Sequence, residues 1–201
     1  MKNSRSLISL TALFVAGFLA GVVFSAWKLD SVVPQTPDKK PPPKQTSKRA
    51  EIEKRIAGVK KMLADDPGNL TALVQLGNDY FDIGNFEDAI TAYSDALKID
   101  PKNADVITDM GIAYRRLRKP QEAVDSFRRA LEANPNHTTA LFNLGIVLRD
   151  DIKDYDGALK AWETFMEKAK DSPFSVMVRP WVQQLREKVK TEPTADGTKK
   201  E

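Results

Sequence analysis

Apolar residues recur at helical spacing through most of the chain beyond its first quarter, with polar residues between them. In the first such segment, Ile52, Ile56, Val59 and Leu63 follow the spacing i, i+4, i+7 and i+11. This spacing places the four side chains on one face of an amphipathic helix. The sequence therefore predicts a helix over residues 49–66.

A second pattern has a period of 34 residues and covers the middle of the chain. Residues of the same type return at this step: Pro67, Pro101 and Pro135; Gly77, Gly111 and Gly145; Tyr80 and Tyr114; Ala89 and Ala123; Ala96 and Ala130. A fixed period of this length is typical of stacked helix-turn-helix units, each burying its apolar face against the next. The pattern predicts an all-α solenoid of antiparallel helix pairs, which favours a binding surface over an enzyme.

Two units keep the pattern closely, over residues 70–103 and residues 104–137. Their shared positions are Leu73, Leu76, Gly77, Tyr80, Ala89, Tyr93, Ala96 and Pro101 in the first unit, and Ile107, Met110, Gly111, Tyr114, Ala123, Phe127, Ala130 and Pro135 in the second. This arrangement resembles the tetratricopeptide repeat. The resemblance implies a short solenoid whose first helices line an inner groove for peptides or partner helices.

The ends of the array depart from the pattern. A third unit over residues 138–172 has one extra residue in its turn, so Phe165 falls where an alanine is expected. The segment over residues 49–66 corresponds to the second helix of a unit, and residues 174–190 form a further amphipathic helix. We expect these two helices to cap the array, with a disordered tail over residues 191–201.

The first 30 residues are typical of an N-terminal transmembrane helix that acts as a signal-anchor. Leu7–Trp27 has 21 residues without charge or proline, and as a helix of about 31 Å it matches the hydrocarbon core. A cleaved signal peptide is the alternative, although its apolar core is shorter, at about 7–15 residues. Gly17 and Gly21 form a GxxxG pair, which permits close helix packing and hence a homo-oligomer.

A linker over residues 31–48 separates the predicted anchor from the repeats. It holds five prolines and four lysines. Proline fixes φ and like charges repel, so we expect an extended stalk. The tail before the span is purely positive, whereas Lys28 just after it is offset by Asp30. Long domains also cross a bilayer largely regardless of flanking charge, so we expect the repeats in the periplasm, tethered to the inner membrane. The opposite orientation stays open, because more lysines follow the span than precede it.

Charge and composition exclude several classes of function. Residues 1–49 carry eight Lys and Arg against two Asp, a net charge of +6, and the remainder of the chain carries −3. The repeat region is mildly acidic, which disfavours nucleic acid as a partner. The chain has no cysteine, so disulfides, thiolate metal sites and cysteine nucleophiles are excluded.

No residue pattern points to catalysis, a metal site or a cofactor. His137 is the only histidine and lies in a predicted turn, where capping or solvent contact is its expected role. Asp150, Asp151, Asp154 and Asp156 lack the spacing of an EF-hand calcium loop, and we interpret them as a solvated turn. The sequence therefore predicts a protein that is not an enzyme and uses no cofactor.

The resemblance implies which side chains line the inner groove. By register they are Val74, Asn78 and Phe81 from the first unit, Thr108, Ile112, Arg115 and Arg116 from the second, and Phe142, Ile146 and Arg149 from the third. Such a groove is apolar with arginines at one edge, which suits carboxylates or an acidic peptide. The other interpretation is that these arginines complement helix C-termini.

Some tetratricopeptide-repeat proteins hold a C-terminal carboxylate with a clamp of Lys, Asn and Arg side chains. Only Asn78 matches that clamp here, because Val74, Asp109, Thr139 and Asn143 stand at its other positions. We therefore do not expect this chain to bind chaperone tails in that way.

Together these patterns predict a membrane-tethered scaffold or adaptor that binds a partner peptide or helix and assists assembly of an envelope complex. Its layout of anchor, stalk and short array resembles the membrane-anchored repeat proteins of c-type cytochrome maturation. A cytosol-facing docking or import receptor is one alternative, and a self-assembling structural protein is another. The identity of the partner is not specified by the sequence.

Overall fold

The repeat region folds as a series of antiparallel helices, each packed against the next. The computed structural model describes residues 43–191, with side chains from Ser47 onward. Its helices are α1 (Pro43–Asp65), α2 (Leu70–Asp82), α3 (Phe86–Ile99), α4 (Ala104–Arg116), α5 (Pro120–Ala133), α6 (Thr138–Val147), a π-helical turn (Leu148–Ile152), α7 (Tyr155–Lys168) and α8 (Pro173–Thr191). No β-strand occurs in this part of the chain. The all-helical solenoid confirms the predicted fold class for the repeats.

The membrane prediction falls on residues outside this description. Leu7–Trp27, the Gly17 and Gly21 pair, most of the linker and residues 192–201 are not among the described residues. Between residues 43 and 191, no helix combines the length and the apolar character that crossing a bilayer requires. The anchor therefore stays a prediction.

Asparagine side chains start the first helix of each of the first two repeats. Asn69 accepts a hydrogen bond from the N–H of Ala72 at 3.0 Å, and Asn103 accepts one from Val106 at 3.2 Å. Each bond satisfies one N–H group that the start of a helix leaves without an intrahelical partner. His137 stands at the corresponding place in the third repeat and makes no such side-chain bond.

Glycines lie where the two helices of each repeat touch. A Cβ atom placed on Gly111 would lie 2.7 Å from Cε1 of Phe127, too close for any real contact. The ring therefore fills the space that a side chain at residue 111 would need. The same pairing holds in the neighbouring repeats, between Gly77 and Tyr93 and between Gly145 and Trp162.

The extra residue of the third repeat is absorbed by the π-helical turn at Leu148–Ile152. Each intra-repeat turn has one residue with positive φ: Gly84 at 82°, Arg118 at 60° and Lys153 at 69°. The first two lie 34 positions apart and the last follows after 35, so the predicted slip of one residue is confirmed. A π-helical turn accommodates one more residue than an α-helical turn, which is how the slip occurs without breaking α6.

Phe165 occupies the position that is alanine in the earlier repeats, and it is buried. Its ring centroid lies 5.7 Å from that of Phe142, which lies in turn 5.6 Å from that of Phe174. These distances are typical of favourable aromatic pairs. The three rings therefore link α6, α7 and α8.

Two further helices flank the three repeats. The buried side chains of α8 are Ser175, Val178, Val182 and Leu185, and those of α1 are Ile52, Ile56 and Val59. Helix α1 begins at Pro43, before the predicted start at residue 49 and inside the predicted linker. A proline suits the first turn of a helix, where its missing N–H would have no intrahelical acceptor.

A fully buried carboxylate joins α1 to the first repeat. Asp79 accepts hydrogen bonds from Nε and Nη2 of Arg55, at 2.8 and 2.5 Å from Oδ1, and from Nε2 of Gln75 at 2.8 Å. A buried charge is stable in a fold only with such a full set of partners. Sequence patterns gave no indication of this pair, because 24 residues separate its members.

Candidate functional site

A cleft opens between the first helices of the first two repeats. Its volume is about 280 Å³. We name it the α2–α4 cleft, and its lining residues are Asn78, Phe81, Asp82, Tyr93, Asp109, Ile112 and Arg116. The structure thus brings together four of the predicted groove residues: Asn78, Phe81, Ile112 and Arg116.

The walls of the cleft are apolar and its floor carries one fixed polar contact. Phe81 and Ile112 are partly buried against the core, and Tyr93 lies beneath them, 1% exposed. The hydroxyl of Tyr93 donates a hydrogen bond to Oδ1 of Asn78 at 2.7 Å. Burial raises the pKa of Tyr93, so the hydroxyl keeps its proton. With its oxygen engaged, the Asn78 amide offers its N–H groups to a ligand.

Asp109 brings a carboxylate into the same cleft. It is partly buried and makes no hydrogen bond or ion pair with any residue that the structure describes. Burial, with a smaller contribution from Asp105, raises the pKa of Asp109 to about 6. Asp82 adds a second carboxylate to the lining, and Arg116 is the single cation among the described residues there.

The arginines predicted at the groove edge have different surroundings from one another. Nε of Arg115 lies 2.6 Å from Oδ2 of Asp151, and Nε of Arg149 lies 2.5 Å from Oδ1 of Asp150. The hydrogen bond from Arg149 lowers the pKa of Asp150, which keeps this carboxylate ionised. Two of the three predicted arginines are therefore neutralised by carboxylates of the π-helical turn. Arg116 has no ion pair in the described structure.

Arg149 is also enclosed by aromatic rings. Its guanidinium carbon lies 4.8 Å from the ring centroid of Trp162 and 4.6 Å from that of Trp181. The two indoles also adjoin each other, with ring centroids 5.1 Å apart, and contact with aromatic rings is favourable for a guanidinium. The structure therefore places Arg149 in the packing between the third repeat and α8, rather than free at the edge of a groove.

The other predicted groove residues lie outside the cleft. Thr108 is 1% exposed and its hydroxyl donates to the carbonyl of Ala104 at 2.7 Å, so it presents no surface to a partner, contrary to its predicted place. Phe142 packs between the rings of Phe165 and Phe174. Val74 and Ile146 are partly buried against the core.

A second hollow lies on the other side of α4, with a volume of about 570 Å³. We name it the α4–α6 hollow, and it is lined by Ile112, Arg115, Arg116, Arg118, Asn143 and Asp151. It shares Ile112 and Arg116 with the α2–α4 cleft, so the two adjoin across α4. Together they form one groove along the inner helices of the three repeats.

Sequence reasoning missed part of this groove. The sequence indicates Asp109 and Asn143 only as mismatches to a carboxylate clamp, although their positions place them on the inner face. Tyr93 is predicted only as a repeat-pattern position; its ring is buried, but its hydroxyl reaches the cleft. No pattern indicated Asp82 or Arg118.

The family comparison agrees with this geometry. Residues 77–117 match the family model described as TPR repeat, and residues 108–169 match the model described as tetratricopeptide repeat. Each match starts within the first helix of a helix pair. Residues 77–169 therefore consist of tetratricopeptide repeats.

Solved structures of other proteins share the fold. A crystal structure of MamA is 24% identical with a TM-score of 0.57, and the match covers 73% of this chain and 94% of that one. The first TPR of Spaghetti (RPAP3), bound to the HSP90 peptide SRMEEVD, is 23% identical with a TM-score of 0.54, over 60% of this chain and 95% of that one. The first TPR domain of human RPAP3 is 24% identical with a TM-score of 0.56, over 63% and 98%.

No curated protein sequence matches the chain. The similarity to the solved structures is below 25% identity and shows the fold alone. The repeats themselves indicate protein–protein interaction as the general role, since stacked helix pairs present an extended binding surface. Among residues 43–191, no group of three or more acidic or histidine side chains is placed to hold a metal ion.

Proposed function

We propose that this protein is an adaptor that binds an extended or helical segment of a partner protein along its inner groove. The observation that carries the proposal is the α2–α4 cleft and its continuation into the α4–α6 hollow. Apolar walls there adjoin polar groups that the fold leaves available, namely the Asn78 amide, Asp109 and Arg116. Concave surfaces of this kind are typical of peptide recognition.

The similar RPAP3 domain supports a peptide as the class of ligand, because that structure holds the HSP90 peptide SRMEEVD. We do not propose the same peptide for this chain. A carboxylate at Asp109 would repel an acidic segment, and Val74 and Thr139 stand where a clamp requires lysine. We propose instead a partner segment whose side chains match this groove.

We further propose that the adaptor is tethered to the inner membrane through Leu7–Trp27, with the repeats held in the periplasm by the Pro- and Lys-rich stalk. Its role would be to hold a partner during assembly of an envelope complex, and c-type cytochrome maturation is the specific pathway we propose. The Gly17 and Gly21 pair would allow two anchors to associate. These proposals rest on the pattern of the first 48 residues.

Site-specific photocrosslinking tests the groove. We expect benzoylphenylalanine at Phe81, within the α2–α4 cleft, to give an adduct with a partner in intact cells. Arg128, an exposed residue of α5 that lines neither cavity, is the control position and should give none. Adding Ile112→Glu to the Phe81 variant should abolish the adduct, because it introduces a charge into the apolar wall. Equal adducts from both positions would contradict groove binding.

The proposed location is tested by fusing alkaline phosphatase, which is active only outside the cytoplasm, to the C-terminus. We expect phosphatase activity in whole cells, with the fusion recovered in the membrane fraction. A stable fusion without activity would place the repeats in the cytosol, in favour of the docking receptor. Recovery in the soluble periplasmic fraction would show that the N-terminal segment is cleaved.

A further inference from the structure

Among the described acidic residues that line or border the groove, Asp109 is the one that is partly buried and has no hydrogen-bond or ion-pair partner; Asp82 also lacks one but is exposed. Asp79, on the neighbouring helix α2, accepts hydrogen bonds from Arg55 and Gln75. Asp150 and Asp151 are held by arginines. Asp109 has no such partner among the described residues, although it is partly buried and lines the α2–α4 cleft.

The surrounding groups cannot satisfy this carboxylate. The Tyr93 hydroxyl directs its proton to Asn78, at 2.7 Å. Arg116 lines the same cleft but forms no ion pair with Asp109. Asp82 and Asp105 have the same sign as Asp109 and add to the negative potential. A cation supplied from outside would therefore complete the charge balance.

The shape of the cleft restricts what that cation can be. Phe81 and Ile112, both apolar and partly buried, line the cleft together with the carboxylates. A hydrated inorganic ion gains nothing from such walls. A lysine or arginine side chain does, because its aliphatic stem packs on apolar surface while its charged end reaches a carboxylate.

We propose that the α2–α4 cleft binds a lysine or arginine side chain of the partner segment. Asp109 is the main carboxylate that pairs with this cation, and Asp82 is the second. This inference rests on the proposed function, since it specifies the ligand of the same groove. It reverses the ligand charge expected from Arg115 and Arg149, both of which the fold already neutralises.

The proposal is tested by passing peptide pools, each with a fixed central residue, over the immobilised full-length protein in detergent and measuring how much of each pool is retained. Four pools share randomised flanks and differ only in the central residue, which is lysine, arginine, norleucine or glutamate. Norleucine keeps the aliphatic stem of lysine without its charge. We expect the lysine and arginine pools to be retained about fivefold over the norleucine pool, as a partly shielded ion pair allows, and the glutamate pool least.

Variants test whether the preference for lysine and arginine depends on the Asp109 carboxylate. Asp109→Asn should remove the advantage of the lysine and arginine pools while leaving retention of the norleucine pool unchanged. Asp125→Asn is the matched control, because Asp125 is exposed on α5 and lines neither cavity, and the preference should survive there. Circular dichroism confirms that each variant is folded.

The outcomes separate this inference from the proposed function. Equal retention of the lysine, norleucine and glutamate pools would overturn the proposed cation site in the α2–α4 cleft while leaving peptide binding intact. A lysine preference that persists in Asp109→Asn would equally overturn it. If no pool is retained above a column without protein, peptide binding in the groove itself fails, and the inference fails with it.

Discussion

Replacing Gly145 by alanine is expected to destabilise the repeat domain by about 3 kcal/mol. The added Cβ would lie 2.6 Å from Cε2 of Trp162 and closer still to its Nε1. Trp162 cannot move aside freely, because it is fully buried and donates a hydrogen bond to the carbonyl of Phe142 at 3.0 Å. Any shift of the indole would also loosen its contact with Arg149.

Thermal unfolding followed by circular dichroism measures this effect, and we expect the midpoint to fall by roughly 6–12 °C. Gly58→Ala is the matched control, since no atom lies within 4 Å of a Cβ placed there and alanine is the better helix former. That variant should gain about 0.5–1 kcal/mol.

A second substitution tests the cause of the loss. Trp162→Phe in the Gly145→Ala background supplies a smaller ring, so part of the lost stability should return. The two substitutions should therefore be strongly non-additive in a double-mutant cycle. A Gly145→Ala variant as stable as the parent would contradict the close approach of α6 and α7.

Asp109→Asn is expected to stabilise the domain by about 2 kcal/mol above pH 7 and to have no effect below about pH 4. The pKa of Asp109 is about 6 in the folded state, against 3.8 for an unburied aspartate. These values lie about two pH units apart, equivalent to nearly 3 kcal/mol, and water at the mouth of the cleft reduces the effect.

The pH dependence has a definite sign. Below about pH 4 the carboxyl group is protonated in both states, and its charge has no effect on folding. Between about pH 4 and 6 the unfolded chain releases the proton first, so ionisation increasingly favours unfolding. Above about pH 6 the loss is complete and constant. Asparagine, which never ionises, avoids it.

Urea unfolding of the parent and the variant across this pH range measures the difference directly. Asp125→Asn is again the control, and as an exposed surface substitution it should change stability by less than about 0.5 kcal/mol at every pH. A constant difference between Asp109→Asn and the parent from pH 4 to pH 8 would show that charge at residue 109 is not the cause.

The two properties of Asp109 have a common explanation under the proposed function. A carboxylate that destabilises the free domain and lacks an internal partner is typical of a binding residue, because its partner arrives with the ligand. We therefore expect Asp109→Asn to be more stable than the parent and poorer at binding basic segments.

The helical repeats could be predicted from the sequence because their determinants repeat locally. Gly77 and Gly111 stand in register with the rings that pack on them, and Asn69 and Asn103 precede the helices that they cap. The one-residue slip before Lys153 was equally visible as a broken period. By contrast, the start of α1 at Pro43 was missed, because a proline-rich segment favours extended structure until its last proline opens a helix.

The groove could be predicted only in part. Helical register placed Asn78, Phe81, Ile112 and Arg116 on one surface, and the structure gathers them in the α2–α4 cleft. Register did not show that Thr108 is covered, because its burial depends on how closely neighbouring helices pack.

The sequence by itself determined that this protein is a short stack of helix pairs, since a 34-residue period encodes the same short-range contacts each time. Only the tertiary structure decided the charge of its groove. Arg115 meets Asp151 across 36 residues, and Arg149 lies against two tryptophans from different helices. The same packing leaves Asp109 without a partner among the residues that the structure describes. Charge balance in a groove depends on which side chains of separate helices come into contact, and no local sequence pattern specifies those contacts.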